Sequence, residues 1–231
     1  MSNRVIAFTK MQIWFHKHII HFMVILIATG LPIIAPHAFF WLAWLYGVPL
    51  SAMAGVQSYG ETIALGVQAA RVVHWAAALS LTLTAVPFAI VMLKDRKNWQ
   101  IWPDAIGKQA IADGVEQLKN RYVYYKHAEV GKYNTGQKGL VWLTVIAVSS
   151  MMFTGLIMML RTSIPEGIVG FARFVHGFFF IVMSIVLIIH IYLGTHPINR
   201  AGLNAMFGDG EMDADDIKNK HPLWWKKIQN K

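Results

Sequence analysis

The sequence predicts an all-α integral membrane protein, a bundle of four transmembrane helices with one further amphipathic helix at the membrane surface. Two observations lead to this prediction. Of the 231 residues, 55% are hydrophobic and only 14% are charged, which lies outside the usual composition of soluble domains. Four mostly apolar segments also approach or exceed about twenty residues, the length that a helix needs to cross about 30 Å of hydrocarbon.

A helix breaker follows each of these segments, so the ends of the spans can be placed approximately. The predicted spans are Ile13–Ala35, Ala69–Leu93, Lys138–Leu160 and Phe171–Gly194. The corresponding breakers are Pro36, the charged run Lys94–Lys97, Pro165 and Pro197. Residues 195–231 form a polar tail, which we expect to be peripheral.

Two connections between the spans carry patterns of their own. Residues 39–46 read Phe-Phe-Trp-Leu-Ala-Trp-Leu-Tyr, an aromatic run typical of the membrane interface. In the central loop, apolar residues recur at helical spacing and predict a short amphipathic helix, which would lie on the membrane or pack against a partner subunit. These residues are Ile111, Val115, Leu118 and Tyr122.

The positive charges indicate the orientation. The loop Lys94–Lys138 holds nine of the 21 Lys and Arg residues, the stretch through Lys17 holds three, and the tail holds six. Only Arg71, Arg161 and Arg173 remain for the opposite side. The positive-inside rule therefore predicts that both termini and the central loop are cytoplasmic.

Composition also excludes several classes of function. The chain has no cysteine, so disulfides, iron–sulfur ligation and thiol catalysis by this chain are excluded. The net charge of +9 belongs to loops beside the spans, so we expect membrane lipid and not nucleic acid as its partner. The first apolar stretch is too long for a cleaved signal peptide, and we expect none.

Histidines within the spans are the main candidates for function, because imidazole in hydrocarbon is costly. His176 and His190 are fourteen residues apart, which places them on one face of a helix and about 21 Å apart. His74 matches the depth of His176 near the outer surface. For His190, near the cytoplasm, His16 fits best, and His18 and His21 would lie deeper. The pairs His74–His176 and His16–His190 predict two bis-histidine b haems.

Two short motifs each occur twice, once in the first two spans and once in the last two. Thr29-Gly30-Leu31 resembles Thr154-Gly155-Leu156, and Arg71-x-x-His74 resembles Arg173-x-x-His176. The pattern is what two related hairpins would show, and the glycines would let helices approach each other or a flat macrocycle. Arg71 and Arg173 lie one turn nearer the outer surface than the histidines, where they would bind haem propionates or lipid headgroups.

The loop Val130–Lys138 enters the third span and is rich in glycine and amide side chains. By its position it lies on the cytoplasmic side, at the level of His16 and His190. It would form a polar pocket beside the inner haem, or only a helix start in which Asn134 caps the helix. The residues alone leave both interpretations open.

Together these residues resemble the gamma subunit, a dihaem cytochrome b, of respiratory membrane-bound formate dehydrogenase. The resemblance runs from about Phe15 to Trp225, and its most specific part is the Gly131–Lys138 run. It also includes His16 fourteen residues before Gly30, Arg71-x-x-His74, the pair His176 and His190 followed by Ile191-Tyr192, and the tail piece His221-Pro222-Leu223-Trp224. Four histidines in loops or near the interfaces are expected to have no ligand role, namely His37, His127, His196 and His221.

The resemblance implies that spans two and four hold an outer haem and that spans one and four hold an inner haem. It further implies a quinone, menaquinone or ubiquinone, bound at Asn134, Gly136, Gln137 and His190. An iron–sulfur subunit, and through it a catalytic dehydrogenase subunit, would be the partners in a bacterial inner membrane. No catalytic residue for oxidising a substrate is expected in this chain.

The sequence thus predicts electron transfer from an iron–sulfur partner at the outer, periplasmic surface to quinone near the cytoplasm. Within the same class, the partner could instead be a hydrogenase, a thiosulfate reductase or another molybdenum enzyme. A haem-free membrane anchor or small transporter, with the histidines as proton relays, is the alternative from a different class.

Overall fold

A computed structural model describes residues 3–96, 99–126 and 129–230. Lys97, which belongs to a predicted breaker, and His127, which was expected to have no ligand role, lie outside these residues. The helices in chain order are α1 Lys10–Ile34, α2 Phe40–Ala54, α3 Tyr59–Lys94, α4 Lys108–Leu118, α5 Thr135–Met159, α6 Glu166–Thr195, α7 Arg200–Phe207, α8 Ala214–Lys220 and α9 Pro222–Gln229. Strand β1, Arg4–Ile6, precedes α1, and strand β2, Glu211–Asp213, follows α7.

The predicted class is confirmed, because the fold is an all-α membrane bundle. Among the described residues four helices are long and apolar enough to cross a membrane, namely α1, α3, α5 and α6. Many of their large apolar side chains are exposed, Leu83 and Phe174 among them. Exposed apolar surface on a spanning helix is expected, since lipid tails solvate it as well as a protein core would.

Two features of the connection between α1 and α3 go beyond the prediction. The aromatic run lies in helix α2, and α3 begins at Tyr59, ten residues before the predicted span. Both helices carry glycines where they cross, because a Cβ at Gly47 would overlap the carbonyl oxygen of Thr62 and a Cβ at Gly66 would overlap that of Ala43. Backbone-to-backbone packing of this kind needs small residues, and hydropathy does not detect it.

The predicted amphipathic residues do lie on a helix. Ile111, Val115 and Leu118 belong to α4, and Tyr122 belongs to a π-helical turn, Lys119–Val123, that continues it. Their apolar face is open, since Ile111 is 68% exposed. An open apolar face fits both a lipid surface and a partner subunit, so the two alternatives for this helix remain.

The tail was expected to be polar and peripheral, but it contains a small apolar core. Strand β2 pairs antiparallel with β1, with Val5 opposite Met212. Ile217 and Trp224 are 0% and 5% exposed and pack in one cluster with Ala7, Ala205 and Met212. The charged residues of the tail lie on the outside of this cluster, which explains why its composition alone looks peripheral.

The described chain divides into two compact units. The terminal unit comprises residues 1–13, 92–153 and 181–231, and the central unit comprises residues 14–91 and 154–180. The central unit contains His74 and His176 together with the three candidates His16, His18 and His21. The terminal unit contains His190, the Val130–Lys138 loop and the small apolar core.

Candidate functional site

Within the central unit, the structure brings His74 of α3 and His176 of α6 together. Their ring centroids are 6.3 Å apart and the rings are inclined by 59°. His74 lies fifteen residues after the start of α3 and His176 ten residues after the start of α6. The distance from a helix start therefore does not measure depth here, although the predicted meeting of the two residues is found.

A threonine orients each imidazole. The Oγ1 atom of Thr29 lies 3.0 Å from the Nδ1 atom of His74, and the same hydroxyl donates its proton to the carbonyl of Ile25 at 2.7 Å. Because the hydroxyl proton is used in that bond, the oxygen accepts from an Nδ1–H group of His74. The Nε2 atom then carries the lone pair, which is the form in which histidine binds a metal.

The second threonine repeats the arrangement. The Oγ1 atom of Thr154, on α5, lies 3.0 Å from the Nδ1 atom of His176. The Thr-Gly-Leu repeat predicts a role for its glycines, and the role of its threonines appears only in the structure. The signal that would have found the threonines is that this repeat accompanies the Arg-x-x-His repeat. Each hairpin of the chain contains one copy of both.

The two glycines of the repeat lie against the same rings. A Cβ at Gly30 would be 3.5 Å from the Cε1 atom of His74, and a Cβ at Gly155 would be 3.5 Å from the Cε1 atom of His176. These are ordinary van der Waals distances, so packing of the chain alone does not require glycine at either position. The absence of side chains at both positions would leave space for a flat ligand beside the imidazoles.

The spacing of His74 and His176 is compatible with two ligands of one iron atom. A metal–imidazole bond is about 2.0–2.1 Å and a ring centre is about 1 Å beyond its nitrogen, so two histidines sharing a metal have centres about 6 Å apart. The observed 6.3 Å fits. In the described parts of the chain, no group of three or more His, Cys, Asp or Glu side chains could hold a metal ion. Two histidines suit haem, whose macrocycle supplies the other iron ligands.

Arg71 and Arg173 lie one helical turn before these histidines, as predicted. The Nη1 atom of Arg71 donates to the Oε1 atom of Gln68 at 3.2 Å, and the side chain is half-buried. Arg173 is exposed. Both remain candidates for propionates or lipid headgroups.

Two of the three candidates on α1, His18 and His21, have similar local chemistry. The Nδ1 atom of His18 lies 2.7 Å from the carbonyl oxygen of Trp14, and that of His21 lies 2.6 Å from the carbonyl oxygen of Lys17. A carbonyl can only accept, so each Nδ1 donates and each Nε2 has a lone pair. The orientation of the ring therefore does not separate His18 from His21 as a ligand.

Contacts in the central unit supply a depth reference. Gly30 lies against His74, whose ring faces His176, so Gly30 and His176 mark one level. Fourteen residues from Gly30 along α1 is His16, and fourteen residues from His176 along α6 is His190, about 21 Å in each case. His18 and His21 are only twelve and nine residues from Gly30. The assignment of His16 with His190 stays a prediction, based on equal spacing along the two helices.

In the terminal unit, three of the four predicted quinone residues, Asn134, Gly136 and Gln137, lie at the start of α5. The backbone N–H of Asn134 donates to the Oε1 atom of Gln137 at 3.0 Å, and the backbone N–H of Gln137 donates to the Oδ1 atom of Asn134 at 2.8 Å. This is a capping box, so Asn134 does cap the helix. Capping uses the side-chain oxygens, and the two NH₂ groups are what these residues can offer to a ligand. Gly136 lies between them and is exposed, as is His190 on α6.

Neighbouring contacts hold this turn at its place. The Nζ atom of Lys138 forms an ion pair with the Oδ2 atom of Asp104 at 2.5 Å, and Lys138 is 8% exposed. The backbone N–H of Thr135 donates to the Oε1 atom of Gln117 at 3.0 Å. The carboxylate of Asp104 is largely exposed, so it connects the buried ammonium group to water.

Comparison with known proteins identifies the family. The model of the prokaryotic cytochrome b561 family matches residues 7–209, and the chain belongs to that family. The chain is therefore a multi-pass membrane cytochrome b that binds haem b and takes part in electron transfer.

Curated relatives point in the same direction. The chain is 27% identical, over 118 residues, to the cytochrome b556(Fdn) subunit of the nitrate-inducible formate dehydrogenase of Escherichia coli K12, covering 50% of this chain and 52% of the relative. The Shigella flexneri subunit gives the same values. Identity to the cytochrome b556(fdo) subunit of Escherichia coli K12 formate dehydrogenase is 25% over 104 residues, 44% of this chain and 48% of the relative. The chain spans about half the length of these relatives, and the similarity agrees with the resemblance seen in the motifs.

Proposed function

We propose that this prokaryotic cytochrome b561 carries two b haems and is the membrane electron-transfer subunit of a respiratory formate dehydrogenase. Electrons would enter from an iron–sulfur subunit at the periplasmic surface of a bacterial inner membrane and leave to quinone near the cytoplasm. The similarity to formate dehydrogenase subunits supports the identity of the partner. The concentration of Lys and Arg in the termini and the central loop supports the orientation.

The observation that carries the proposal is the facing pair His74 and His176, with ring centres 6.3 Å apart and each Nδ1 atom held by a threonine. These two residues would hold the outer haem, and Arg71 and Arg173 would bind its propionates. His16 and His190 would hold the inner haem, from their equal spacing along α1 and α6. When bound, haem supplies one-electron oxidation and reduction, and the protein supplies ligands, depth and an apolar surrounding.

Quinone would bind at Asn134, Gly136, Gln137 and His190. Reduction adds two electrons and two protons to a quinone and converts two carbonyls to hydroxyls, so the site needs hydrogen-bond donors and a route for protons from water. The NH₂ groups of Asn134 and Gln137 provide donors, and both residues lie in the loop expected on the cytoplasmic side. Proton uptake from the cytoplasm would make the reaction electrogenic.

Haem quantitation tests the first part of the proposal. The purified chain with its native cofactors should show two low-spin b haems per polypeptide by pyridine haemochrome assay, with a reduced-minus-oxidised spectrum of the b type. A content below one haem per polypeptide would reject the assignment and favour the haem-free anchor or transporter.

The capping box allows a sharper test of the quinone site than replacement by apolar residues. Asn134→Asp and Gln137→Glu keep the oxygens that cap α5 but remove the NH₂ donors. We expect slower reoxidation of the haems by a soluble quinone analogue, with haem content unchanged. Asn134→Ser, which retains a capping oxygen but not an amide, is the control for added charge.

The thermal midpoint of each variant shows whether the cap has been lost, since loss of the cap would cost about 1 kcal/mol of stability and lower the midpoint. If all three variants match the wild type in reoxidation rate and in affinity for a quinone-site inhibitor, the turn is only a helix start.

A further inference from the structure

The structure assigns a positioning role to the C-terminal segment: we propose that Lys132, held in an aromatic box completed by Trp224, and His221 fix the turn that binds quinone. This inference rests on the proposed quinone site, and it concerns residues that have no part in that site themselves. Lys132 lies in the Gly131–Lys138 run and His221 and Trp224 lie in the tail piece, two motifs that are far apart in the sequence.

Three aromatic rings surround the ammonium group of Lys132. Its Nζ atom lies 5.5 Å from the ring centre of Phe8, 5.3 Å from that of Tyr133 and 5.4 Å from that of Trp224. All three distances are within the range of cation–π attraction, which strengthens when water is excluded. The rings come from the N-terminal segment, from the loop itself and from α9. Lys132 therefore joins three segments that are far apart in the sequence.

Two hydrogen bonds join the tail to the same stretch of backbone. The Nδ1 atom of His221 lies 3.0 Å from the carbonyl oxygen of Gly131, and the backbone N–H of Leu223 donates to the carbonyl of Val130 at 3.3 Å. Burial lowers the pKa of His221, so the ring is neutral at neutral pH, and its Nδ1 must carry the proton because the carbonyl only accepts. With the cation–π contact of Lys132 to Trp224, residues 130–132 thus contact the tail at three successive positions.

The tail residues that make these contacts belong to, or lie next to, a packed apolar core. Trp224 is 5% exposed and belongs to the apolar core with Ile217 and Met212, and Phe8 packs against that core. The backbone N–H of Phe8 donates to the carbonyl of Gly210 at 2.9 Å. A loop bonded to a packed core loses freedom before any ligand arrives, which raises affinity for that ligand.

A positioning role predicts a specific kinetic pattern. If the tail only orders the turn, loosening it should raise the KM for a quinone analogue more than it lowers kcat, since the ligand would then have to order the turn itself. The haems should be unaffected, because none of these residues is a candidate ligand.

Lys132→Met and Lys132→Arg form the first pair of variants, with Lys226→Met as the matched control on the exposed side of α9. Lys132→Met removes the charge and should raise KM about tenfold, the scale of one cation–π contact at a desolvated site. Lys132→Arg keeps the cation–π contacts and should restore most of the affinity. The control should match the wild type.

His221→Leu and His221→Asn form a second pair that leaves the core tryptophan in place. Leucine removes the donor to Gly131 and should raise KM, whereas the asparagine amide can replace it. Haem content and the reduced spectrum of each variant verify that the chain has folded.

Unchanged KM and inhibitor affinity in both Lys132→Met and His221→Leu would overturn the positioning role. An increase that Lys132→Arg and His221→Asn fail to reverse would also overturn it, since the named contacts would then not be its cause. The Asn134 and Gln137 variants distinguish these outcomes from failure of the proposed quinone site. If the site itself is wrong, those variants also leave reoxidation and inhibitor affinity unchanged.

Discussion

Side chains of spanning helices hold the proposed outer pair, His74 and His176, whereas segments from both ends of the chain hold residues 130–132, which lead into the Asn134–Gln137 turn. At the outer pair, each histidine has one threonine and one glycine from a neighbouring helix, and the arrangement occurs twice. Just before the turn, the ammonium group of Lys132 contacts rings of the N-terminal segment, the loop and α9.

This difference reflects what each site must do. A haem ligand must hold one nitrogen at a fixed place, and a hydrogen bond from within a rigid helix is sufficient for that. A quinone must enter, gain protons and leave, so the proposed quinone site needs access to water, which the end of a helix provides. We therefore expect variants at the outer pair to change haem binding, and variants around the turn to change affinity for quinone.

Removal of an outer ligand should have the largest effect. His74→Ala or His176→Ala should leave one haem per chain in place of two, because a bis-histidine site that loses one ligand no longer holds its haem firmly. Pyridine haemochrome quantitation measures the result, and transfer to quinone should stop. Retention of both haems in these variants would mean that the facing pair is only a hydrogen-bonded helix contact.

The second largest effect is expected for the proposed haem ligand on α1. His16→Ala should lose the inner haem, whereas His18→Ala and His21→Ala should retain it, because only His16 matches the fourteen-residue spacing of His190. Haem content is measured for the three variants in parallel. Loss of haem in His21→Ala together with retention in His16→Ala would show that the depth reference at Gly30 selects the wrong residue.

The threonines should give an intermediate effect. Thr29→Val and Thr154→Val keep the shape of the side chain but remove the acceptor for Nδ1–H. We expect weaker retention of the outer haem by about 10–100-fold, with a shifted midpoint potential. Thr82→Val is the matched control, since Thr82 on α3 bonds to the carbonyl of Ala78 in its own helix. Equal potentials in all three variants would restrict the threonines to a packing role.

The pH dependence at Lys132 should be the smallest effect. Burial lowers the pKa of Lys132 from 10.5 to about 8, so its ammonium contacts the rings below about pH 8 and loses its proton above it. The KM for quinone should therefore rise above pH 8 in the wild type. In Lys132→Arg it should rise less, because arginine stays protonated.

Neighbouring groups do not account for such a change. Burial raises the pKa of Tyr133 to about 12 and lowers that of His221, so neither titrates between pH 8 and 10. An unfolded lysine binds its proton up to about pH 10.5, and over this window the unfolded state therefore binds more protons than the native state. The contribution of Lys132 to the free energy of unfolding then rises with pH. Thermal midpoints that fall over the same window would indicate another cause.

Much of the spanning part of the molecule was determined by the sequence. Runs of apolar residues of the required length place α1, α3, α5 and α6, because a bilayer imposes one length and one polarity on any helix that crosses it. The positions of His74 and His176 on those helices follow from helical spacing. The repeat of Thr-Gly-Leu with Arg-x-x-His already indicated that the two hairpins are built alike.

Only the tertiary structure decided the contacts that orient these residues. The bond from His74 to Thr29 joins residues 45 positions apart, the crossing of α2 with α3 depends on two glycines with no hydropathy signal, and the core around Ile217 joins the two ends of the chain. Hydropathy and periodicity report how each segment meets its solvent. Which side chains face each other depends on packing between segments, and no property of one segment alone contains that information.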